Sequence, residues 1–185
     1  YTPMEETASA LEMAVRSGRT RYVGVSNYPA WAAVHMADLL GSAIGMAGVQ
    51  TEYSLLNRSA EQELIPAAQE LGFGIMGWSA LGRGVLTGKY RNATPPDSRG
   101  ASVHLAGFVA PYLNDDAARV VNAVATAAAG LERSPLEVAL AWARGSDGID
   151  CSIVGARNTH QLRDILAAAD LQLEPQIRHV LNEVS

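Results

Sequence analysis

The feature that most constrains this chain is a regular alternation between short apolar runs and longer stretches with helical periodicity. Three runs rich in glycine and β-branched residues begin at equal intervals, at Tyr22, Gly48 and Gly74. Each has the length and composition of a buried strand, and helical patterns separate consecutive runs. This alternation predicts parallel βαβ units with right-handed crossovers, and therefore an α/β fold. The predicted strands cover residues 22–26, 48–52, 74–78 and, after a delay, 149–154.

The helices expected between these strands carry start and stop signals. Thr2 and Ser134 are predicted N-caps, Pro3 and Pro135 the first helical residues, and Gly18 a stop. The predicted helices cover 3–17, 29–40, 59–71 (capped by Ser59), 115–129, 135–144, 159–168 and 175–184. Residues 91–111, rich in Pro, Gly, Ser and Asn, are predicted to form a long surface loop. Since no linker divides the chain, residues 1–185 are predicted to form one domain.

Composition excludes several classes of protein. Hydrophobic residues make up 48% of the chain and charged residues 18%, which excludes a wholly disordered chain. A net charge of −5 argues against nucleic-acid partners, which are bound by clustered Lys and Arg. No apolar run reaches the roughly 18 residues of a membrane span, and no signal sequence is recognisable, so no membrane partner is expected. The single cysteine, Cys151, predicts a reducing, cytoplasmic location and is expected to be buried. The four histidines lie far apart, so no metal site is predicted.

Polar or glycine-rich sequence follows each predicted strand. Ligands of parallel α/β folds bind beyond the carboxyl ends of the strands, where such residues would meet. The residues are Ser26-Asn27 after the first strand, Gln50 in the second, Trp78-Ser79 after the third and Arg157 after the fourth. Amides, one aromatic ring, a glycine turn and a guanidinium suit a nucleotide with a planar, amide-bearing ring.

Each of these residues also has an ordinary structural interpretation. Ser26-Asn27 is typical of a helix-entry turn, Trp78 of core packing, and Lys89 and Arg99 of solvated surface cations. The glycine run after the third strand lacks the G-x-G-x-x-G spacing of dinucleotide-binding folds, and no acidic residue follows at the expected strand end. Taken one at a time, these residues leave both interpretations open.

Four longer motifs occur in one order along nearly the whole chain. They are GVSN at 24–27, QTEYSLL at 50–56, WSALGRGVLTGKY at 78–90 and VGAR at 154–157. Together they resemble the aldo-keto reductase family, and SPLEVALAW at 134–142 is similar to the helix that precedes the last barrel strand in that family.

The resemblance implies a (β/α)8 barrel of the TIM type that binds NADP(H) at the carboxyl ends of its strands. This chain would form its C-terminal half, with about four parallel strands and their helices. Carried over by motif, Ser26, Asn27 and Gln50 would bind the nicotinamide carboxamide, and Trp78 would stack on the nicotinamide ring. Ser79, Leu81, Gly82 and Gly84 would wrap the pyrophosphate, with Lys89 and Arg99 near the phosphates. Gly155, Arg157, Gln161 and Asp164 would line the adenosine end, where a guanidinium suits a 2′-phosphate.

The sequence departs from the family's pattern in two respects. Ile165 stands where many members have an Asn that meets the adenine, and His160 stands where an acidic residue is frequent. In addition, no residue matches the family's catalytic Asp, Tyr, Lys and His. We therefore predict no catalytic residue in this chain and expect the chain by itself to be inactive.

The resemblance implies an NADP(H)-dependent oxidoreductase that reduces aldehydes or ketones to alcohols, with a small carbonyl compound as substrate. This chain would be a fragment that holds most of the cofactor groove. Two alternatives remain open, namely a non-catalytic NADP(H)-binding regulatory subunit like the β subunits of channels, and an inactive truncated product. The sequence indicates neither the carbonyl substrate nor the oligomeric state.

Overall fold

The sheet consists of four parallel strands in the order β1-β2-β3-β4. The computed structural model describes residues 2–185 and contains β1 (Gly24–Ser26), β2 (Gly48–Glu52), β3 (Gly74–Trp78) and β4 (Cys151–Ile153). Neighbouring strands pair so that Ser26 lies beside Gln50, Gln50 beside Met76 and Met76 beside Cys151. The fold is therefore α/β with an all-parallel sheet, consistent with part of a (β/α)8 barrel.

Glycines allow the first three strands to approach closely at their amino ends. Gly24, Gly48 and Gly74 lie beside one another in the register. A Cβ atom on Gly48 would lie 2.7 Å from the carbonyl oxygen of Gly74, and one on Gly24 would collide with the carbonyl oxygen of Gly48. Any larger residue at Gly24 or Gly48 would push the strands apart.

The helices pack on one another in a layer beside the sheet. Within residues 2–185 they are α1 (Met4–Arg16), α2 (Ala30–Ile44), α3 (Leu64–Leu71), α4 (Ala106–Val109), α5 (Asp115–Gly130), α6 (Pro135–Arg144), α7 (Thr159–Ala167) and α8 (Pro175–Val184). Helix α1 packs on α2, α2 on α3, and α5 on both α6 and α8. Val49 and Ile75 of the central strands and Trp142 of α6 are fully buried in the core.

The two edge strands are shorter and more exposed than predicted. β1 begins at Gly24 rather than at residue 22, and β4 has 3 residues instead of covering 149–154. The Asp150 carboxylate accepts the Ile75 N–H at 2.7 Å, so a side chain occupies a backbone acceptor position beside β3. The expectation that Cys151 is buried is wrong, because it lies exposed on a strand that has a neighbour on one side only.

The helix predicted over 59–71 is divided in two. Ser59–Glu61 forms a 3-10 turn, and α3 begins only at Leu64. Pro66 explains the break, because it has no N–H and its ring clashes with the carbonyl group four residues earlier in a continuous helix. Ser59 is not an N-cap, since its hydroxyl donates to the Asn57 side-chain oxygen at 2.8 Å.

The first two helices each begin one residue later than predicted. Thr2 is not the N-cap of α1, because Pro3 has a ψ of 146°, outside the helical region, and the helix begins at Met4. Helix α2 begins at Ala30, and although the segment reaches Ile44, Gly41 with φ 58° and ψ −178° lies outside the helical region, so the helix is interrupted directly after residue 40, where it was predicted to end.

The segment predicted as a loop over 91–111 contains short helical turns. Besides α4, it holds a 3-10 turn at Arg99–Ala101, and another follows at Ala110–Tyr112. The Gly100 N–H donates to the Tyr90 hydroxyl oxygen at 3.1 Å, which fastens the segment to the end of the turn that follows β3.

Two kinds of feature are absent from the part of the chain that the structure describes. None of its helices is long and apolar enough to cross a membrane. Its His, Cys, Asp and Glu side chains form no group of three or more that could hold a metal ion. Tyr1 belongs to the predicted domain but lies outside the described residues, so the extent of that domain stays a prediction.

The start of α6 is fixed by a reciprocal capping box, which confirms the predicted N-cap at Ser134. The Ser134 hydroxyl accepts the Glu137 N–H at 3.2 Å, and the Glu137 carboxylate accepts the Ser134 N–H at 2.8 Å. This backbone hydrogen bond is the main reason why the pKa of Glu137 lies below its ordinary value, and the nearby Arg133 lowers the pKa further.

We expect the Glu137→Gln variant to be less stable than the unaltered chain at neutral pH, by about 0.5–1 kcal/mol. Because the pKa of Glu137 is lowered on folding, its ionised carboxylate stabilises the fold above the ordinary pKa of 4.5, and this contribution is lost as the pH falls through the folded value. The stability difference should therefore shrink in acid. Urea denaturation followed by far-UV circular dichroism measures it, with exposed Glu70→Gln on α3 as control. A difference that is constant with pH would contradict the assignment.

Candidate functional site

A cleft of about 460 Å³ opens at the carboxyl ends of β3 and β4. Its walls come from the turn after β3, from the 3-10 turn at Arg99 and from the start of α7. The predicted site residues that line it are Trp78, Ser79, Leu81, Gly84, Lys89, Arg99, Gly155, Arg157 and Gln161. The fold thus brings three segments that are distant in sequence to one site.

The other predicted site residues lie outside the cleft wall. They are Ser26, Asn27, Gln50, Gly82 and Asp164. The hydroxyl of Ser26, the last residue of β1, donates to the side-chain oxygen of Gln50 in the middle of β2 at 2.6 Å. Asp164 on α7 approaches His160, with 3.5 Å between its carboxylate and Nδ1. Gly82 is buried within the turn that follows β3.

Three cations line the cleft without a carboxylate partner. Lys89, Arg99 and Arg157 form no salt bridge with any residue from 2 to 185. Arg157 donates from Nη1 to the Asp97 carbonyl oxygen at 3.3 Å, which places its guanidinium toward the segment that follows Lys89 in the chain. Because no carboxylate within the described residues pairs with these three cations, the lining of the cleft favours an anionic ligand.

The turn after β3 is held in an uncommon backbone conformation. Ser79, Arg83 and Gly84 have φ angles of 61°, 58° and 94°, in the left-handed region that non-glycine residues adopt rarely. The Ser79 hydroxyl oxygen accepts the Arg83 N–H at 2.8 Å and stabilises this turn. A Cβ atom on Gly84 would lie 3.2 Å from Lys89 Nζ, so glycine allows the ammonium group to approach the backbone. Strained turns of this kind are typical of ligand-binding sites.

Trp78 presents a half-buried aromatic ring to the cleft. Its Nε1–H donates to the Asn27 side-chain oxygen at 2.8 Å, which ties the indole to the end of β1. The Phe108 ring lies nearly parallel to it, with 6.4 Å between centroids and 13° between planes. The indole is therefore oriented by contacts from two sides.

Glu52 and Arg83 form a buried ion pair beside the cleft, and the sequence did not predict it. Their side chains are only 10% and 16% exposed and are joined at 2.6 Å. The hydrogen bonds with Glu52 are the main reason why the pKa of Arg83 is raised above its ordinary value. Glu52 lies in the motif at 50–56 and Arg83 in the motif at 78–90. The two residues are 31 positions apart, and no spacing rule links residues at that separation.

A second groove of about 460 Å³ lies between the start of α5 and the residues that follow the turn after β3. Tyr90, Arg91, Asn114 and Asn122 contribute to its lining. None of the predicted site residues borders it. The predicted site residues thus concentrate in the first cleft.

Comparison with known proteins identifies the family to which the chain belongs. The model of the aldo/keto reductase family matches residues 1–184. The chain belongs to the aldo/keto reductase family. The resemblance carried by the sequence motifs is thereby confirmed, and so is the α/β fold with parallel strands that it implied.

Several curated relatives are similar over almost the whole of this aldo/keto reductase chain. The uncharacterized oxidoreductase YrpG of Bacillus subtilis (strain 168) is 31% identical over 188 residues, which cover 99% of this chain and 54% of that protein. The L-glyceraldehyde 3-phosphate reductase of Escherichia coli (strain K12) is 36% identical over 90% of this chain and 49% of its own length. A probable voltage-gated potassium channel subunit beta of Oryza sativa subsp. japonica is 33% identical over 92% of this chain and 53% of its own length. The chain spans about half the length of the curated relatives it matches.

Proposed function

We propose that this chain contributes the cofactor cleft of an NADP(H)-dependent oxidoreductase that reduces aldehydes or ketones to alcohols. The observation that carries the proposal is the convergence of Lys89, Arg99 and Arg157, none of them neutralised by a carboxylate within residues 2–185, beside the Trp78 ring. A dinucleotide phosphate combines several negative charges with planar rings, so it matches both features of this cleft.

The residues present fit the parts of such a cofactor. Guanidinium and ammonium groups are the usual protein donors to phosphate oxygens, and Lys89 and Arg157 line the cleft from the segments that follow β3 and β4. Gly84 lines the cleft and has no side chain, so a ligand can approach the backbone of the turn after β3 closely. Ile165, buried at the α7 wall, offers an apolar surface without hydrogen-bonding capacity. We propose that the phosphates lie near the cations and that the nicotinamide lies near Trp78.

Bound NADP(H) supplies or accepts the hydride in this chemistry. The chain's own residues bind and orient it: Trp78 offers a flat face, and Asn27 fixes the indole edge. Ser26 at the end of β1 and Gln50 in the neighbouring β2, joined at 2.6 Å, offer hydrogen-bonding groups for a carboxamide. No residue of the cleft matches the family's proton-donating Tyr, so we expect this chain alone not to turn over a carbonyl substrate.

A second candidate function is a non-catalytic NADP(H)-binding regulatory subunit. The similarity to the rice protein named as a probable voltage-gated potassium channel subunit beta favours it. The cofactor cleft would be the same in both functions, so cofactor binding supports either one. Carbonyl reduction by the full-length protein would distinguish the enzyme from the subunit.

Titration of the chain into NADPH tests the proposed cleft. We expect a saturable change in nicotinamide fluorescence, because the ring leaves water for the surface of Trp78. Raising the ionic strength from about 0.05 to 0.3 M should weaken binding several-fold, since salt screens the attraction between the phosphates and the exposed cations. The absence of saturable binding at low salt would overturn the proposal.

A further inference from the structure

Two segments from different parts of the chain meet the guanidinium group of Arg83. Its Nε and Nη2 donate to the two Glu52 carboxylate oxygens at 2.8 and 2.6 Å, and its Nη1 donates to the Phe108 carbonyl oxygen at 2.6 Å. The guanidinium carbon lies 4.2 Å from the centroid of the Phe108 ring and 4.8 Å from that of Tyr112. Arg83 therefore joins the end of β2 to the segment that contains α4 and the following 3-10 turn.

This contact differs from an ordinary surface ion pair. Two hydrogen bonds join the planar guanidinium of Arg83 to the two carboxylate oxygens of Glu52, which is the bidentate arrangement that these groups favour. Both side chains are mostly buried. A buried pair of this kind is strongly disturbed when one partner is removed, because the other charge is left without compensation. Although Arg83 borders the cleft, Glu52 neutralises it, so its charge is not available to a phosphate as those of Lys89 and Arg157 are.

The segment that Arg83 holds reaches the cleft at two points. The Phe108 ring stacks near the Trp78 ring, with 6.4 Å between their centroids. Helix α4 also packs against the 3-10 turn that carries Arg99 into the cleft wall. A displacement of this segment would therefore disturb both the aromatic face and one of the three cations.

We propose that Arg83 is a positioning residue that, through Glu52 and Phe108, holds residues 99–112 against the cleft and fixes the Trp78 ring in place. The cleft is then preformed, and ligand binding does not have to order this segment. The identity of the ligand rests on the proposed function, whereas the holding of the segment does not.

The test uses three variants of the full chain. Glu52→Gln combined with Arg83→Met removes both charges, so that neither is left buried alone. Arg83→Lys keeps the charge but loses the fork geometry and the flat surface that lies over the rings. Asp116→Asn combined with Arg119→Met removes an exposed ion pair on α5 and is the matched control.

Two measurements follow, namely the rate of chymotrypsin cleavage after Phe108, Tyr112 and Leu113 in the ligand-free chain, and the Kd for NADPH. In the double variant we expect cleavage to accelerate and Kd to rise by about tenfold each, as loss of a charged hydrogen-bonding group implies. Arg83→Lys should give intermediate values. The control should match the unaltered chain in both measurements.

Cleavage in the double variant at a rate within about twofold of the unaltered chain would overturn the role of Arg83, whatever the Kd. If the double variant loses its far-UV circular dichroism, the cleavage rate of Arg83→Lys decides in the same way. Failure of the unaltered chain to bind NADPH would overturn the proposed function instead, and the cleavage rates would still decide whether Arg83 holds the segment.

Discussion

Replacing Lys89 and Arg157 together with methionine is expected to weaken NADPH binding by at least about 100-fold. Both residues line the cleft without a carboxylate partner within residues 2–185. A hydrogen bond between charged groups contributes about 1.5–3 kcal/mol, and loss of two such bonds exceeds a hundredfold change in Kd. Methionine keeps most of the side-chain length, so the walls of the cleft should stay in place.

The matched control for this pair is Arg119→Met combined with Arg163→Met. Both arginines are exposed, and neither lines the cleft, so the control changes the net charge of the chain equally. Calorimetric titration with NADPH should give the control a Kd close to that of the unaltered chain. If the two double variants bound equally well, the cleft would not be the phosphate site.

The largest effect on stability is expected from Trp142→Ala, which should lower the free energy of unfolding by about 3–5 kcal/mol. Trp142 is 1% exposed and stacks on Tyr53 with 5.4 Å between ring centroids. Its Nε1–H donates to the Asn182 side-chain oxygen at 2.7 Å, and the Arg58 guanidinium lies over its ring. Removal of the indole leaves a cavity where α6 meets α8 and also leaves the Asn182 side chain without its donor.

Trp31→Ala is the control for this variant, since Trp31 is 70% exposed and its loss should change stability by no more than about 0.5 kcal/mol. Trp142→Phe keeps one aromatic ring but loses the N–H together with part of the indole volume, so we expect its loss of stability to lie between those of the other two variants. Urea denaturation followed by far-UV circular dichroism measures all three. Equal midpoints for Trp142→Ala and Trp31→Ala would contradict the packing described here.

The central strands of the sheet could be predicted to the residue, but the edge strands could not. β2 and β3 have a neighbouring strand on each side, so their apolar runs coincide with their paired residues. β1 and β4 have one neighbour each, and beside β4 the Asp150 side chain takes the place of a backbone acceptor. That replacement is a contact between distant positions, which an apolar pattern does not reveal.

Hydrogen bonds between residues close in the sequence were predictable in the same way, whereas contacts between residues far apart in the sequence were not. The capping box at Ser134 depends on residues three positions apart, so its spacing alone is sufficient to recognise it. The break before α3 also has a local cause, Pro66, but the helical pattern of the surrounding residues led to the prediction of one continuous helix over 59–71. By contrast, the Trp78 contact with Asn27 spans 51 positions and depends on the strand register.

The same difference between local motifs and long-range contacts holds for the candidate site. Motif resemblance identified cleft-lining residues in the segments that follow β3 and β4, because strand-end motifs keep their place in the family's fold. It did not identify the contacts of Arg83, which depend on how residues 99–112 fold back over the end of β2. Exposure of Cys151 was missed for a related reason, since burial of a strand depends on its neighbours rather than on its own composition.

Hydrogen–deuterium exchange with and without NADPH tests the central claim most directly, because it locates the binding site as well as detecting it. We predict that NADPH slows amide exchange in residues 78–89 and 153–161, the segments that line the cleft at the ends of β3 and β4. Exchange in α1 and α2 should not change. Protection confined to residues 90–94 and 112–122, which line the second groove, or no protection at saturating NADPH, would contradict the account.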